Sequence, residues 1–279
     1  MYCKSIKSSL INGVRVDTLE VRFPRIILPE FNTHRVFSRN SQSSRAKPIS
    51  KVISEDLTYE VSDYGWRKNN KGMSPVDFFD EIDSKELDEK REEYKQVTLE
   101  YVKYMEQKGV HKELANRPLE QFMETTVLVT TTEWKNFITL RLNEDAQTEI
   151  RVLAKMIKDT LEQTKPMIRD YHLPYSDINI SNKDLKDRIK QSVARCARVS
   201  YFSFDKKESE LDKDIELFNR LKESKHLSPF EHIVLNPDIV KENFWYEGLT
   251  FRTIHGSSNG NLSQGVVQFR KLIELGVEI

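Results

Sequence analysis

Between His34 and Arg45 the chain places His34, Arg35, Arg39 and Arg45 among Ser38, Ser41, Ser43 and Ser44. Guanidinium forks and hydroxyl donors at that density suit phosphate oxygens, which accept several charge-assisted hydrogen bonds at once. The same composition also makes an ordinary solvated loop. A second candidate is KHLSPFEHI, residues 225–233, where Ser228 can be an N-cap, Pro229 the first helical residue and Glu231 the capping-box partner. The spacing predicts a helix from Ser228 whose free backbone N–H groups could meet an anion. His226 and His232 stand six residues apart rather than the four that put two ligands on one helix face, and there is no Walker-type glycine loop. No catalytic metal is expected. Cys3 and Cys196 lack the partners for a disulfide framework or a cysteine zinc site and are expected to be reduced thiols, Cys196 as a buried packing residue.

The elements that must position these groups are read from periodicity. Residues 16–28, VDTLEVRFPRIIL, read as one or two strands, with Pro24 suggesting an edge or a bulge. The polar stretch 31–50 reads as a loop, or a short helix and a loop, in water. Residues 54–75 look irregular, and 76–108 suit a long, partly exposed helix ending at Gly109. The strongest helical pattern is 133–164, with Ile150, Leu153, Ala154, Ile157 and Leu161 as its apolar stripe. A break near Asn143 would leave Trp134, Phe137 and Leu140 to pack, with Asn136 and Arg141 projecting elsewhere. Residues 165–185 read as a connector, 184–196 and 207–224 as helices, and the stretch IHGSSNGNLSQG as a loop before a final short helix.

At 279 residues either one large domain or two small ones could bury a sizeable core. The 44 basic and 44 acidic residues cancel, which disfavours broad attraction to nucleic acid or an anionic membrane, so any anion site must be local. No apolar run is long enough for a signal peptide or a membrane span. A soluble, cytoplasmic protein is expected.

Four short segments together resemble one family. HRVFSRNSQSSR (34–45) is similar to the signature of the flavin-dependent thymidylate synthases, an Arg-His-Arg run followed by spaced serines and arginines. WKNFITLRLNEDAQTEIRVLA (134–154) resembles that family's segment in which an Asn and an Arg flank a Phe-x-x-Leu core before an Ala-Gln-x-Glu-Ile run. ARVSY (197–201) and HLSPFEH (226–232) are the third and fourth matches. In the family these last two precede the Arg-His-Arg segment. Here they follow it, as in a circular permutation, which a fold tolerates when its original termini lie close at the surface. The resemblance implies one domain over 1–279, with the signature, helical and Arg141 part in 1–165 and the ARVSY and SPFEH part in 166–279. It implies an α+β fold with a central antiparallel-type sheet flanked by long helices, assembling as a homotetramer that shares its sites between subunits. The strand near Val16 should then lie where the chain leaving Ile233 would otherwise run.

What the resemblance implies chemically is transfer of a one-carbon unit from 5,10-methylenetetrahydrofolate to C5 of dUMP, with FAD and NADPH supplying the reduction to dTMP. His34, Arg35, Asn136, Ser200 and Ser228 match flavin-contacting positions. Gln42, Ser43, Ser44 and Arg45 match the nucleotide-binding stretch, and Glu30 stands where the family often has a Gln facing the nucleotide. Arg141 matches the arginine at the uracil ring, where a fixed cation would stabilise the enolate-like charge that develops as C5 attacks. The alternative for Arg141 is a surface pairing with Glu144 or Asp145. Thr33 replaces the first Arg of the run and Ser41 a usual Glu, while ELANRPLE (113–120) resembles the family's Ala-Arg-x-x-Leu-Pro run only loosely, with Arg117 as the candidate replacement. These departures leave open a hydroxymethylating enzyme, dCMP as substrate, or a non-catalytic nucleotide- or flavin-binding subunit.

Overall fold

The computed structural model describes residues 1–71, 77–176, 185–199, 210–244, 257, 262–263 and 265–277. The chain opens with a hairpin of β1 (Tyr2–Ile11) and β2 (Val14–Pro24), joined by Asn12 and Gly13 at φ 47° and 77°. Two successive left-handed residues make the turn that matches the strands' own twist, and Asn-Gly is its usual sequence. β1 is a strand that the periodicity reading did not assign, although Asn12-Gly13 signals it. α1 (Leu28–Phe31) leads to β3 (Ser38–Ser41), and α2 (Ile49–Glu55) follows. α3 (Glu81–Gln107) starts at Asp80, whose carboxylate accepts from the N–H groups of Ile82 and Asp83, and stops before Gly109 at φ 75°. α4 (Lys112–Ala115), a 3-10 turn at Arg117–Phe122 and β4 (Glu124–Thr131) follow.

The main sheet runs β3-β4-β2-β1-β5, antiparallel except where β5 (Met167–Ile168) pairs parallel with β1. β2 is therefore a central strand, and Pro24 closes its ladder opposite Glu124 instead of lying on an edge. Strand alternation divides the faces. Leu19, Val21, Phe23, Val127 and Val129 point to α5 (Lys135–Arg141) and α6 (Thr148–Gln163), where Phe137, Ile150, Leu153, Ala154, Ile157 and Leu161 complete a core cluster. The break near Asn143 falls between these two helices as expected, but Leu140 is 52% exposed and joins no core cluster among the described residues.

Leu128, on the opposite face, joins the core built by α7 (Leu185–Arg198), α8 (Leu211–Glu223) and the last helix, α10 (Phe269–Glu274). α9 (Pro237–Asn243) adds Val240 to that core. A small antiparallel sheet, β6 (Tyr171–His172), β7 (Val234–Leu235) and β8 (Val267–Gln268), lies beside it. Val16 of β2 and Val234 of β7 share an apolar cluster with Ile11, Leu262 and Val266.

Two local expectations are corrected. The stretch 31–50 is not simply a wet loop, because β3 pairs along β4 and Ser38, Asn40, Ser44 and His34 are all buried. Their polar groups find distant partners: the Gln268 amide donates to Ser38 Oγ, and Asn40 to the Cys196 carbonyl. Nor does an α-helix start at Ser228. Residues Ser228–His232 form a single 3-10 turn without a side-chain cap, and the Glu231 carboxylate is drawn to Arg270 instead of back to the turn. So short a turn provides no helix-dipole anion site. Trp245, Tyr246 and most of the Gly/Ser/Asn-rich stretch lie outside the described residues.

Candidate active site

Arg141 is the last residue of α5, where the helix dipole favours a cation. Its side chain reaches α1 and the residues that follow it. Nη1 donates to the Glu30 carboxylate, Nη2 to Thr33 Oγ1 at 3.4 Å, and Nε to His34 Nε2 at 2.9 Å. Among the described residues the pairing is thus with Glu30 and not with Glu144 or Asp145. His34 is held by packing: its ring meets Phe137 edge-on at 4.8 Å and stacks on Phe37 at 5.7 Å. Burial, then the charges of Arg141 and Arg39, lower its pKa to about 4. His34 is therefore neutral near pH 7, and accepting from Arg141 at Nε2 puts its proton on Nδ1.

Arg39, on β3, gathers the chain around His34. Its Nη1 donates to the carbonyls of Asn32 (2.8 Å), His34 (3.3 Å) and Phe31 (3.4 Å). The same residue lines an open cavity of about 360 Å³, with Ser41, Ser43, Arg45, Glu113, His226 and Ser228 among its other walls. The volume is within the range of sites for small organic ligands. Ser228, remote in sequence, therefore shares a cavity with the signature stretch, and Arg39 connects that cavity to the Arg141 cluster.

The other expected residues divide. Arg35 and Asn136 are exposed, and no side-chain hydrogen bond or ion pair engages either among the described residues. Arg45 is exposed at the cavity, where its backbone N–H donates to Ser43 Oγ at 3.3 Å. Gln42 is anchored to β4: its N–H donates to the Thr126 carbonyl at 2.8 Å, and its side-chain oxygen accepts from the Thr126 N–H at 3.4 Å. Ser44 is buried and donates to Glu120 Oε1 at 2.8 Å, facing the protein instead of the cavity. Ser200 lies outside the described residues. Arg117 is exposed, donating to the Glu113 carbonyl at 3.3 Å.

Glu113 in the cavity wall and Asn116 behind it are not among the residues expected from sequence, and His226, weighed there only as a metal ligand, also lines the cavity. His226 stands inside HLSPFEH and could have been found there. Asn116 follows Ala115 in ELANRPLE, where the Ala-Arg-x-x-Leu-Pro run has its arginine, but nothing in that segment signals the hydrogen bonds its amide makes. Cys196 is fully buried, and burial pushes its thiol far above the ordinary range, so it is no activated nucleophile. Among the described residues no group of His, Cys, Asp or Glu is arranged to hold a metal ion, and no helix is long and apolar enough to cross a membrane.

The chain matches no curated protein. Two solved structures of PolB from Streptomyces cacaoi, each described as a UMP/dUMP methylase, are similar in chain path. The one bound with 5-Br dUMP gives a TM-score of 0.45 at 16% identity, covering 55% of this chain and 67% of that one. The one bound with 5-Br UMP gives 0.48 at 13% identity, covering 59% and 89%. The family model of the thymidylate synthase complementing proteins, Thy1, matches residues 12–167. That span includes β2, the signature stretch, the Arg141 segment and all of α6, and leaves the ARVSY and SPFEH segments beyond its end. A match over more than half of the chain decides membership: this chain belongs to the thymidylate synthase complementing protein family, that of the flavin-dependent thymidylate synthases.

Proposed function

We propose that this enzyme transfers a one-carbon unit from 5,10-methylenetetrahydrofolate to C5 of dUMP and completes it to dTMP. The observation that carries the reading is Arg141, oriented by a neutral His34 and a carboxylate and linked through Arg39 to a cavity walled by Ser43 and Arg45. Arg39, Arg45 and Ser43 suit the phosphate, a dianion best met by guanidinium forks and a hydroxyl. Arg141 suits the ring. C5 of uracil is a weak nucleophile, and a fixed cation that stabilises the charge developing on the ring lowers the barrier to its attack on the methylene carbon. Glu30 keeps that guanidinium in place and offers an acceptor to a ring N–H. The C5 proton must then pass to solvent as the carbon–nitrogen bond to the folate breaks and tetrahydrofolate leaves, which gives the exocyclic methylene that is reduced.

When bound, FAD reduced by NADPH would supply the hydride for that reduction. The residues present fit such a cofactor: the Arg35 guanidinium and the Asn136 amide are exposed donors without intramolecular partners among the described residues, and Ser228 presents a hydroxyl to the cavity. Neither cysteine is needed. A cytoplasmic setting, where the nucleotide and folate substrates are available, belongs to the same reading.

A homotetramer is also part of it. Its support is α3, where Tyr94, Val97, Tyr101 and Tyr104 are each more than half exposed and recur at the 3-4-3 spacing of a packing seam. Light scattering should give four times the mass of one chain, and Tyr101→Glu should lower it without unfolding the protein; an unchanged mass would remove α3 from the assembly.

The deciding experiment is the mass of the nucleotide formed when purified protein receives FAD, NADPH, methylenetetrahydrofolate and dUMP or dCMP under low oxygen. Methylated dUMP is expected. A hydroxymethylated nucleotide would make water, not hydride, the final reactant, and no product from either nucleotide would leave a binding subunit.

A further inference from the structure

The turn that carries Ser43 and Arg45 is gripped from behind by one short element. Asn116, fully buried just after α4, donates from Nδ2 to the carbonyl oxygens of Ser44 (2.7 Å) and Lys47 (3.1 Å). Lys112, at the start of the same helix, donates from Nζ to the carbonyl between them, that of Ala46, at 3.2 Å. Arg45 therefore sits inside a turn whose carbonyls are pinned on both sides. The side chains of the turn that face inward are also engaged, Ser44 with Glu120 (2.8 Å) and Lys47 with Asp56 (2.8 Å). The residues of the turn that line the cavity are Ser43, Arg45 and Ala46, and of these Ser43 and Arg45 carry polar side chains.

Asn116 spends both donors of its amide on this one turn, while its Oδ1, equally buried, has no hydrogen-bond partner among the described residues. An unmade buried hydrogen bond is costly, so the arrangement favours the shape of the turn over full satisfaction of the side chain. We propose that Asn116, backed by Lys112, is a positioning residue for nucleotide binding: by fixing the carbonyls of Ser44, Ala46 and Lys47 it sets the direction in which Ser43 and Arg45 meet the phosphate of a pyrimidine nucleotide. Ser44, which the sequence suggests as a direct ligand, is then a strut of the same turn. The assignment rests on the reading of the cavity as the phosphate site.

The test compares dUMP with deoxyuridine, which lacks only the phosphate, in equilibrium binding to the full-length protein loaded with FAD. Wild type is expected to prefer dUMP. Asn116→Ala should cut that preference about tenfold, the loss of roughly one buried hydrogen bond's net worth in binding. Asn116→Ser, which keeps one donor, and Lys112→Met, at a partly exposed site, should each cut it about threefold. FAD affinity should not change in any of them. A general loosening of the fold would weaken both ligands alike and lower the melting temperature, and so would not alter the ratio. Folded Asn116→Ser and Lys112→Met proteins that keep the wild-type preference would overturn the positioning role and leave the phosphate site standing. A wild type that binds dUMP and deoxyuridine equally would remove the phosphate reading of the cavity, and the positioning role with it.

Discussion

Arg141 shows what a short motif can and cannot convey. Its place in WKNFITLRLN identifies it, but not its partners, because Glu30, Thr33 and His34 lie more than 100 positions earlier. The near-surface pairing with Glu144 or Asp145 loses to a half-buried cluster in which Glu30 offers a charge and His34 a lone pair. If Arg141 acts at the ring, Arg141→Ala should lower turnover at least about 100-fold, the loss typical of a group that stabilises developing charge, while FAD remains bound. Arg141→Lys should recover little, since an ammonium lacks the fork that reaches Glu30, Thr33 and His34 together. Wild-type turnover in Arg141→Ala would take the residue out of the mechanism. The lowering of the His34 pKa to about 4 gives a separate check: its NMR titration should have a midpoint below pH 5, and an ordinary midpoint near 6.5 would mean that the ring is not packed beneath Arg141 and Arg39.

Among the elements, those with apolar periodicity were legible and those with polar interiors were not. α6 announces itself through five apolar residues at helical spacing, all of them buried. β3 reads Ser-Arg-Asn-Ser and looks wet, yet its burial is made tolerable by Gln268 and the Cys196 carbonyl, which no local pattern reveals. The same holds between the two sheets. His172 takes hydrogen bonds with Ser9 and Thr18 (2.9 and 2.7 Å), Thr18 with Thr130, and Thr130 with His232 (2.8 Å), so that β1, β2, β4, β6 and the 228–232 turn meet in one buried polar chain. Burial first of all holds both histidines neutral, His232 down to about 3 and His172 well below its ordinary value. The folded state thus binds fewer protons than the unfolded state below pH 6.5, and stability falls as pH falls. For His232 the loss by pH 5 is about 2 kcal/mol, from roughly 1.5 pH units at 1.36 kcal/mol, and His172 acts in the same direction. Asp17 and Asp56, raised by burial, act with the opposite sign. The melting temperature should therefore drop between pH 7.5 and 5, and His232→Gln should flatten that dependence; equal slopes in the two proteins would mean that His232 is not held neutral.

For the whole molecule, the family and the antiparallel character of the central sheet are legible in the four motifs, but the order of those motifs raises a question of integrity. Segments that precede the signature stretch in the family follow it here, and the family match stops at residue 167. The contacts argue that the two parts form one unit. Leu128 of β4 sits in the core of α7, α8 and α10, Val16 packs with Val234, and the His172 to His232 chain crosses between the sheets. Removing either part would expose the apolar faces that meet at Leu128 and Val16 and leave buried histidines and threonines without these partners, each at a cost comparable to a whole hydrogen bond. We propose that residues 1–279 fold as a single permuted domain, the hairpin of β1 and β2 lying where the chain beyond Ile233 would otherwise continue. Chains of this length often unfold in stages when their parts are separable. Here far-ultraviolet circular dichroism, which sees all the helices, and the fluorescence of Trp134, buried against Phe37 and Phe137 and isolated by replacing Trp66 and Trp245 with Phe, should report the same midpoint in urea. Replacing Phe230, fully buried between Phe218 and Phe269 in the distal core, by Leu should lower both midpoints together. A shift in the dichroism alone would show that the two parts unfold independently, and that the family's order can be rearranged without the pieces depending on one another.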